Sequence, residues 1–82
     1  MGQPTDLPGD WVAVRTCITI FEAFVLRSVL EASEIECLLP DESLLGARPE
    51  LALALGGARV LVRREDLERA AEALRVVADG AD

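Results

Sequence analysis

Few side chains in this sequence could do chemistry. They are two cysteines, Cys17 and Cys37, the carboxylate pairs Asp41-Glu42 and Glu65-Asp66, and the glycine pair Gly56-Gly57. There is no histidine and no tyrosine, and all eight basic residues are arginine. The commonest general base and the commonest neutral metal ligand are therefore missing. Two cysteines are too few for a disulfide scaffold, and a zinc site would have to be completed across a dimer. Glu65 and Asp66 stand at the start of a helical pattern, where the macrodipole favours anions. Asp41 and Glu42 fall in a polar loop. There they are expected to be solvated, or to meet a cation or a partner's arginine, with no positioned nucleophile or base beside them. The expectation is a protein that is not an enzyme and holds no cofactor and no metal.

The glycine pair lies inside LALALGGARVLV, residues 51–62. A phosphate-binding loop runs from a strand into a helix N-terminus and is followed by Lys and Ser or Thr. Here the glycines precede a strand pattern, and Ala58-Arg59-Val60 follows them. A turn with positive φ, or a close backbone approach, fits better. Gly56-Gly57 is then the hinge at which a long connection carrying Leu51, Leu53 and Leu55 enters a strand.

The elements that must position these residues follow from periodicity. Residues 1–9 read as a loose tail, with Pro4 and Pro8 among breakers. Residues 11–17 alternate as a strand, with Val12, Val14 and then Ile18 toward the core and Cys17 at the strand end. A helix over 20–33 is announced by Thr19 and Glu22, the two members of a capping box. Its apolar stripe is Ala23, Val25, Leu26, Val29 and Leu30, and Phe24 falls on the polar side with Arg27, Glu31 and Glu34. Residues 35–39 form a second strand, with Cys37 as a small core residue. The connection 41–57 follows; its middle, Pro49–Leu55, is either helical by propensity or extended by its strict alternation. Residues 58–63 form a third strand with Val60 and Val62 inward. The last helix, 64–78, carries Leu67, Ala70, Ala71, Leu74, Val77 and Ala78 on one face and a Glu65–Arg69 pair. Residues 79–82 form the C-terminal tail.

The order β-α-β-β-α specifies an α+β domain. A right-handed crossover gives a three-stranded antiparallel sheet with both helices on one face and strand 3 in the centre. This is a ferredoxin-like arrangement without its last strand. Strand 3 then separates the two cysteines by about two strand spacings, roughly 9–10 Å, beyond the ~7 Å between Cα atoms that a disulfide allows. The sheet face away from the helices would carry Trp11, Ala13, Arg15, Glu36, Leu38, Arg59 and Leu61. Such a patch either meets a protein partner or a second copy, or is covered by the tail or the 41–57 connection. Phe24 is a candidate second contact.

Eighty-two residues, 51% of them apolar, suffice for one packed domain, though a chain this small buries only ~60–65% of its unfolded surface. The net charge of −7 argues against nucleic acid, whose binding requires clustered cations. No apolar run approaches the ~20 residues of a membrane span, and the first ten residues lack the basic and apolar regions of a secretory signal. A cytoplasmic protein is expected.

Laid in order, several short motifs are similar to a known family. They are Trp11-Val12-x-Val14, Glu22-Ala23 through Leu30-Glu31-Ala32, Leu39-x-Asp41-Glu42, Ala54-Leu55-Gly56-Gly57-Ala58-Arg59-Val60 and Glu65-Asp66-x-Glu68-Arg69-Ala70. Over residues 11–76 the chain resembles the small bacterial DUF2007 proteins, described as signal-transducing and grouped with the GlnB-like (PII) superfamily. One departure is visible: Ser33-Glu34 precedes Ile35 where the family usually has a glycine. The resemblance implies a GlnB-like fold and a regulatory role. It also implies that the connection between strands 2 and 3 carries ligand or partner contacts, through Asp41, Glu42, Leu51, Leu53, Leu55, Gly56 and Gly57. The basic residues of the PII nucleotide site have no counterpart here. The expected function is a non-enzymatic regulatory or protein-interaction module working through the open sheet face. The alternative is a PII-like sensor binding a small effector at the 41–57 loop.

Overall fold

The computed structural model of the protein describes residues 10–80, with side chains as far as residue 77. The expected tail at 1–9, the end of the expected 79–82 tail and the side chain of Ala78 lie outside the described residues. Three strands, β1 (Trp11–Cys17), β2 (Cys37–Leu38) and β3 (Ala58–Arg63), form an antiparallel sheet in the order β1-β3-β2. The two long helices, α1 (Ile20–Ala32) and α4 (Leu67–Gly80), pack against each other and against β3 and β1. The expected ferredoxin-like α+β architecture is the one observed.

α1 begins as its sequence dictates. The Thr19 hydroxyl accepts from Glu22 N at 3.1 Å, while the Glu22 carboxylate accepts from Ile18 N at 3.3 Å, so the box closes one residue earlier than the standard pattern. Ile20, Ala23, Leu26 and Leu30 are buried. Val25, expected on that stripe, is 54% exposed.

The end of α1 carries a conformational cost. Ile35 N donates to Leu30 O and Glu34 N to Glu31 O, both at 2.9 Å, the double closure of a Schellman turn. Buried Leu30 and Ile35 supply its apolar contact. The left-handed position falls on Glu34, with φ 61°, where a side chain costs about 1–2 kcal/mol. Replacing Glu34 with glycine is expected to stabilise the protein by about 1 kcal/mol after the larger chain entropy of glycine is subtracted. Thermal unfolding should then move up by about 5 °C; an unchanged or lower midpoint would refute the assignment.

β1 departs from simple alternation. Trp11, Val12 and Ala13 pair with Arg63, Val62 and Leu61, but Arg15, Thr16 and Cys17 pair with Val60, Arg59 and Ala58, leaving Val14 as a bulge. The extra residue inverts the phase of everything after it. Cys17 therefore turns into the core and Ile18, expected there, is 72% exposed. Arg15, expected on the open face, lies opposite core-facing Val60, and Thr16 takes the open-face place beside Arg59.

β2 is shorter than the expected 35–39, although Ile35 and Leu39 on either side of it are buried. The connection is helical throughout its middle. It holds α2 (Glu42–Ala47), a 3₁₀ turn at Pro49–Leu51 and α3 (Ala52–Leu55). Leu51, Leu53 and Leu55 alternate in sequence, yet on a helix every second residue is displaced by about 200°. They consequently splay: Leu51 packs against the core while Leu53 and Leu55 face outward. Leu45 of α2 is completely buried and anchors the connection. Before α4, Arg64–Asp66 forms a 3₁₀ turn, and Arg69 pairs with Asp66 at 3.4 Å instead of the expected Glu65. In the α4 stripe Ala70 and Leu74 are buried, Leu67 and Val77 are half-buried, and Ala71 is exposed.

Candidate functional site

Two surfaces bring together the residues singled out by the sequence. The first is the sheet face opposite the helices, where the register sets three cross-strand rows. In the central row Ala13 and Leu38 flank Leu61. In the second, Arg63 reaches Glu36 at 3.1 Å and Asp10 at 3.7 Å, with its guanidinium 4.6 Å from the centre of the Trp11 ring. In the third, Arg59 lies beside Thr16 and donates to Asp41 through Nε and Nη2 at 3.3 and 3.4 Å. Six of the seven residues expected on this face are there: Trp11, Ala13, Glu36, Leu38, Arg59 and Leu61. Their state differs from expectation. Leu61 is only 5% exposed, and both arginines are engaged within the chain. Ion pairs at the surface contribute about 0–1 kcal/mol each, so their effect here is to hold the arginine stems over the sheet rather than to stabilise it greatly.

The carboxylates of the connection are likewise taken. Asp41 turns to Arg59, and Glu42 meets Arg27 of α1 at 3.1 Å. Asp41 is thereby largely covered, whereas Glu42 stays exposed to solvent as expected. Phe24, expected as a free contact, packs against the core beneath the Arg27 guanidinium, 5.1 Å from its ring centre. Phe21 meets its ring edge-on at 6.3 Å and is the exposed aromatic of the pair.

The second surface is a depression of about 270 Å³ between the end of β1 and the end of the connection. It is lined by Thr16, Cys17, Ile18, Ala52, Leu53, Gly56 and Gly57. The glycine pair shapes its floor. Gly57 N donates to Ala52 O at 2.7 Å and Gly56 N to Leu53 O at 3.2 Å, so α3 ends in a second Schellman turn with Gly56 at φ 83°. Gly57, at φ 107°, lets the chain pass against β1. A Cβ there would lie 2.6 Å from Thr16 Cγ2 and 2.8 Å from Cys17 O. The glycines thus serve both expected purposes, positive φ and close backbone approach.

The rim of the depression is apolar and open. Leu53 is 85% exposed and Ile18 72%. Phe21, at 62%, and Val25 are exposed on α1, the helix that follows Ile18. Ile18, Phe21 and Val25 were not singled out by sequence reasoning, which placed Ile18 and Val25 in the core. The available signal was the helix wheel itself, on which Phe21 and Val25 fall opposite the buried Ile20, Ala23, Leu26 and Leu30.

The cysteines are both free and lie on opposite sides of β3, opposite Ala58 and Val62. Cys17 forms part of the depression's wall and is a buried core residue, not merely a strand-end one. Burial, reinforced by Glu22, pushes its thiol up to about 11. It is therefore protonated at neutral pH and a poor nucleophile. Cys37 is half-buried against the core, and its thiol is also raised, first by burial and then by Glu31. Among the described residues no three of Cys, Asp and Glu gather into a metal-binding group, and no helix is long and apolar enough to cross a membrane.

The model of a known protein family matches residues 11–78, from the start of β1 almost to the end of α4. The chain belongs to the DUF2007 family. Its members carry the description "Putative prokaryotic signal transducing protein". No curated protein and no solved structure matches the chain. For this DUF2007 protein the family match thus supports a small regulatory module, and the chemistry of its surfaces has to be read from the chain itself.

Proposed function

We propose that this DUF2007 protein is a non-enzymatic regulatory module that binds a protein partner at the leucine-rimmed depression. The observation that carries the reading is the exposure of Leu53 and Ile18 in its lining, with Phe21 and Val25 also exposed on the helix that follows Ile18. Patches of this kind on small proteins are interaction surfaces. The glycine-lined hollow at their centre is suited to one apolar side chain of a partner. Its volume falls just below the ~300–1,000 Å³ of sites for drug-sized ligands, which favours a protein over a free effector. The open sheet face is the weaker candidate because Arg59, Arg63 and Leu61 are already satisfied within the chain.

The test is a titration of the labelled protein with amphipathic helical peptides, nucleotides and small metabolites, followed by amide chemical shifts. Peptide-induced shifts at Ile18, Leu53, Gly56 and Gly57 that vanish in Leu53→Asp are expected. The substitution should not disturb folding, since Leu53 is almost wholly solvated. Shifts at these residues with a metabolite alone would favour the small-ligand sensor, and shifts centred on Trp11, Leu38 and Arg59 would move the site to the sheet.

A further inference from the structure

We infer that the outer edge of β1 is a self-association surface, and that two copies of this chain join there as a weak symmetric dimer with a continuous six-stranded sheet. The sheet order places β1 at an edge, and among the described residues nothing pairs with its outer side. Seven residues make it much the longer of the two edge strands, β2 having two. An edge of this length is a template for another strand unless something blunts it. It carries no lysine and no proline, and its bulge sits at Val14, after the regular segment Trp11–Ala13.

The direction of the free backbone groups follows from one hydrogen bond. Asp10 O accepts from Arg64 N, so Asp10 and Arg64 form a bonded pair of the antiparallel ladder. Bonded and non-bonded pairs alternate. Val12 is therefore bonded to Val62, while Trp11 and Ala13 turn their N–H and C=O groups away from β3 toward the open edge. A two-fold axis beside Val12 brings Trp11 of each copy opposite Ala13 of the other. Four backbone hydrogen bonds result, two for each such pair. On the sheet face the large Trp11 ring then lies beside the small, exposed Ala13 of the second copy.

Charge complementarity names the same occupant. Arg15 is the one arginine with no acceptor among the described residues; the other seven have ion-pair partners or further contacts. In the proposed register Asp10 of one copy falls opposite Val14 of the other, one residue from that copy's Arg15. Asp10 is half solvated and holds Arg63 only at 3.7 Å. The pairing occurs twice by symmetry. A ladder this short buries much less than the ~1,600 Å² of a standard interface, so association is weak and concentration-dependent.

Analytical ultracentrifugation across micromolar to millimolar protein tests this, with amide hydrogen exchange at both extremes. The wild type should pass from monomer to dimer, and the amides of Trp11 and Ala13 should become protected as it does. Ala13→Pro removes only an outward donor, so it should stay monomeric with its β3 ladder intact. Arg15→Glu should weaken the dimer roughly tenfold and covers the case that the proline variant does not fold. Leu53→Asp should dimerise normally, which separates this proposal from the binding site at the depression. A wild type that remains monomeric throughout overturns the proposal. So does a dimer that Ala13→Pro and Arg15→Glu leave unchanged, or one that forms with the Trp11 and Ala13 amides unprotected.

Discussion

Replacing Gly57 by alanine is expected to destabilise the protein by about 3 kcal/mol, combining the penalty of a positive φ with that of forcing a methyl group into a packed contact. At 2.8 Å from its built Cβ stands the Cys17 carbonyl, which belongs to the backbone and cannot swing away as a side-chain terminus could. Thr16 Cγ2 would have to move as well. For a domain of this size the loss corresponds to a fall of roughly 15 °C in the unfolding midpoint. Gly56→Ala is the control. Gly56 also has a positive φ, but nothing lies within 4 Å of its built Cβ, so the cost should be about 1 kcal/mol, the conformational part alone. Thermal melts of the two variants decide the matter. Equal losses would mean that close approach to β1 is not what position 57 requires. The depression is built on this approach, so Gly57→Ala should also reshape it, visible as amide shifts at Thr16, Cys17 and Ile18.

The second large effect concerns whether the 41–57 connection is an adaptable loop or part of the core. Leu45→Ala is expected to cost about 3 kcal/mol, within the range for a leucine removed from a fully packed site. Leu45 is completely buried and is the only buried residue of α2, so little else holds that helix down besides the Arg27–Glu42 pair. Its neighbour Leu44 is exposed, and Leu44→Ala should change stability by less than about 0.5 kcal/mol. Denaturant titration gives both numbers. Hydrogen exchange adds the location: in Leu45→Ala the amides of α2 and α3 should lose protection ahead of the sheet. If the connection is mobile, the two substitutions will be equally mild. The expected contrast makes the connection a fixed platform that presents Leu53 and Leu55, and a partner would meet a preformed surface.

Pairing of the surface charges explains why the site moved from where sequence reasoning placed it. Arg59, Asp41, Glu42 and Glu36 all looked available, because a sequence of one charge-rich loop and two strands does not state which cation meets which anion. Folding places Asp41 of the connection over Arg59 of β3, eighteen residues away, and Glu42 against Arg27 of α1. What is left exposed is apolar: Leu53 and Ile18 at the depression, and Phe21 and Val25 on α1. Among the described residues the one arginine left without an acceptor is Arg15, on the edge strand β1.

The sequence by itself determined the order of elements, the central place of β3, both helices on one face, the Thr19–Glu22 cap and the special backbone at Gly56-Gly57. These follow from local causes: periodicity, capping chemistry, turn residues and the handedness of crossovers. Family membership was legible too, in short motifs spread along the chain. Only the tertiary structure decided the phase of β1 beyond Val14, because a bulge depends on the fit of two strands distant in sequence; it exchanged Cys17 and Ile18 between core and surface. Tertiary packing also settled Pro49–Leu55, where alternation suggested a strand but burial of Ala52 and Leu51 against the core selected helix. It placed Glu34 in a left-handed turn, since the pull of buried Ile35 outweighs the cost at one residue. And it set Gly57 against Cys17, giving the close approach that the glycine pair suggested its partner and making the pair part of the lining of the candidate site.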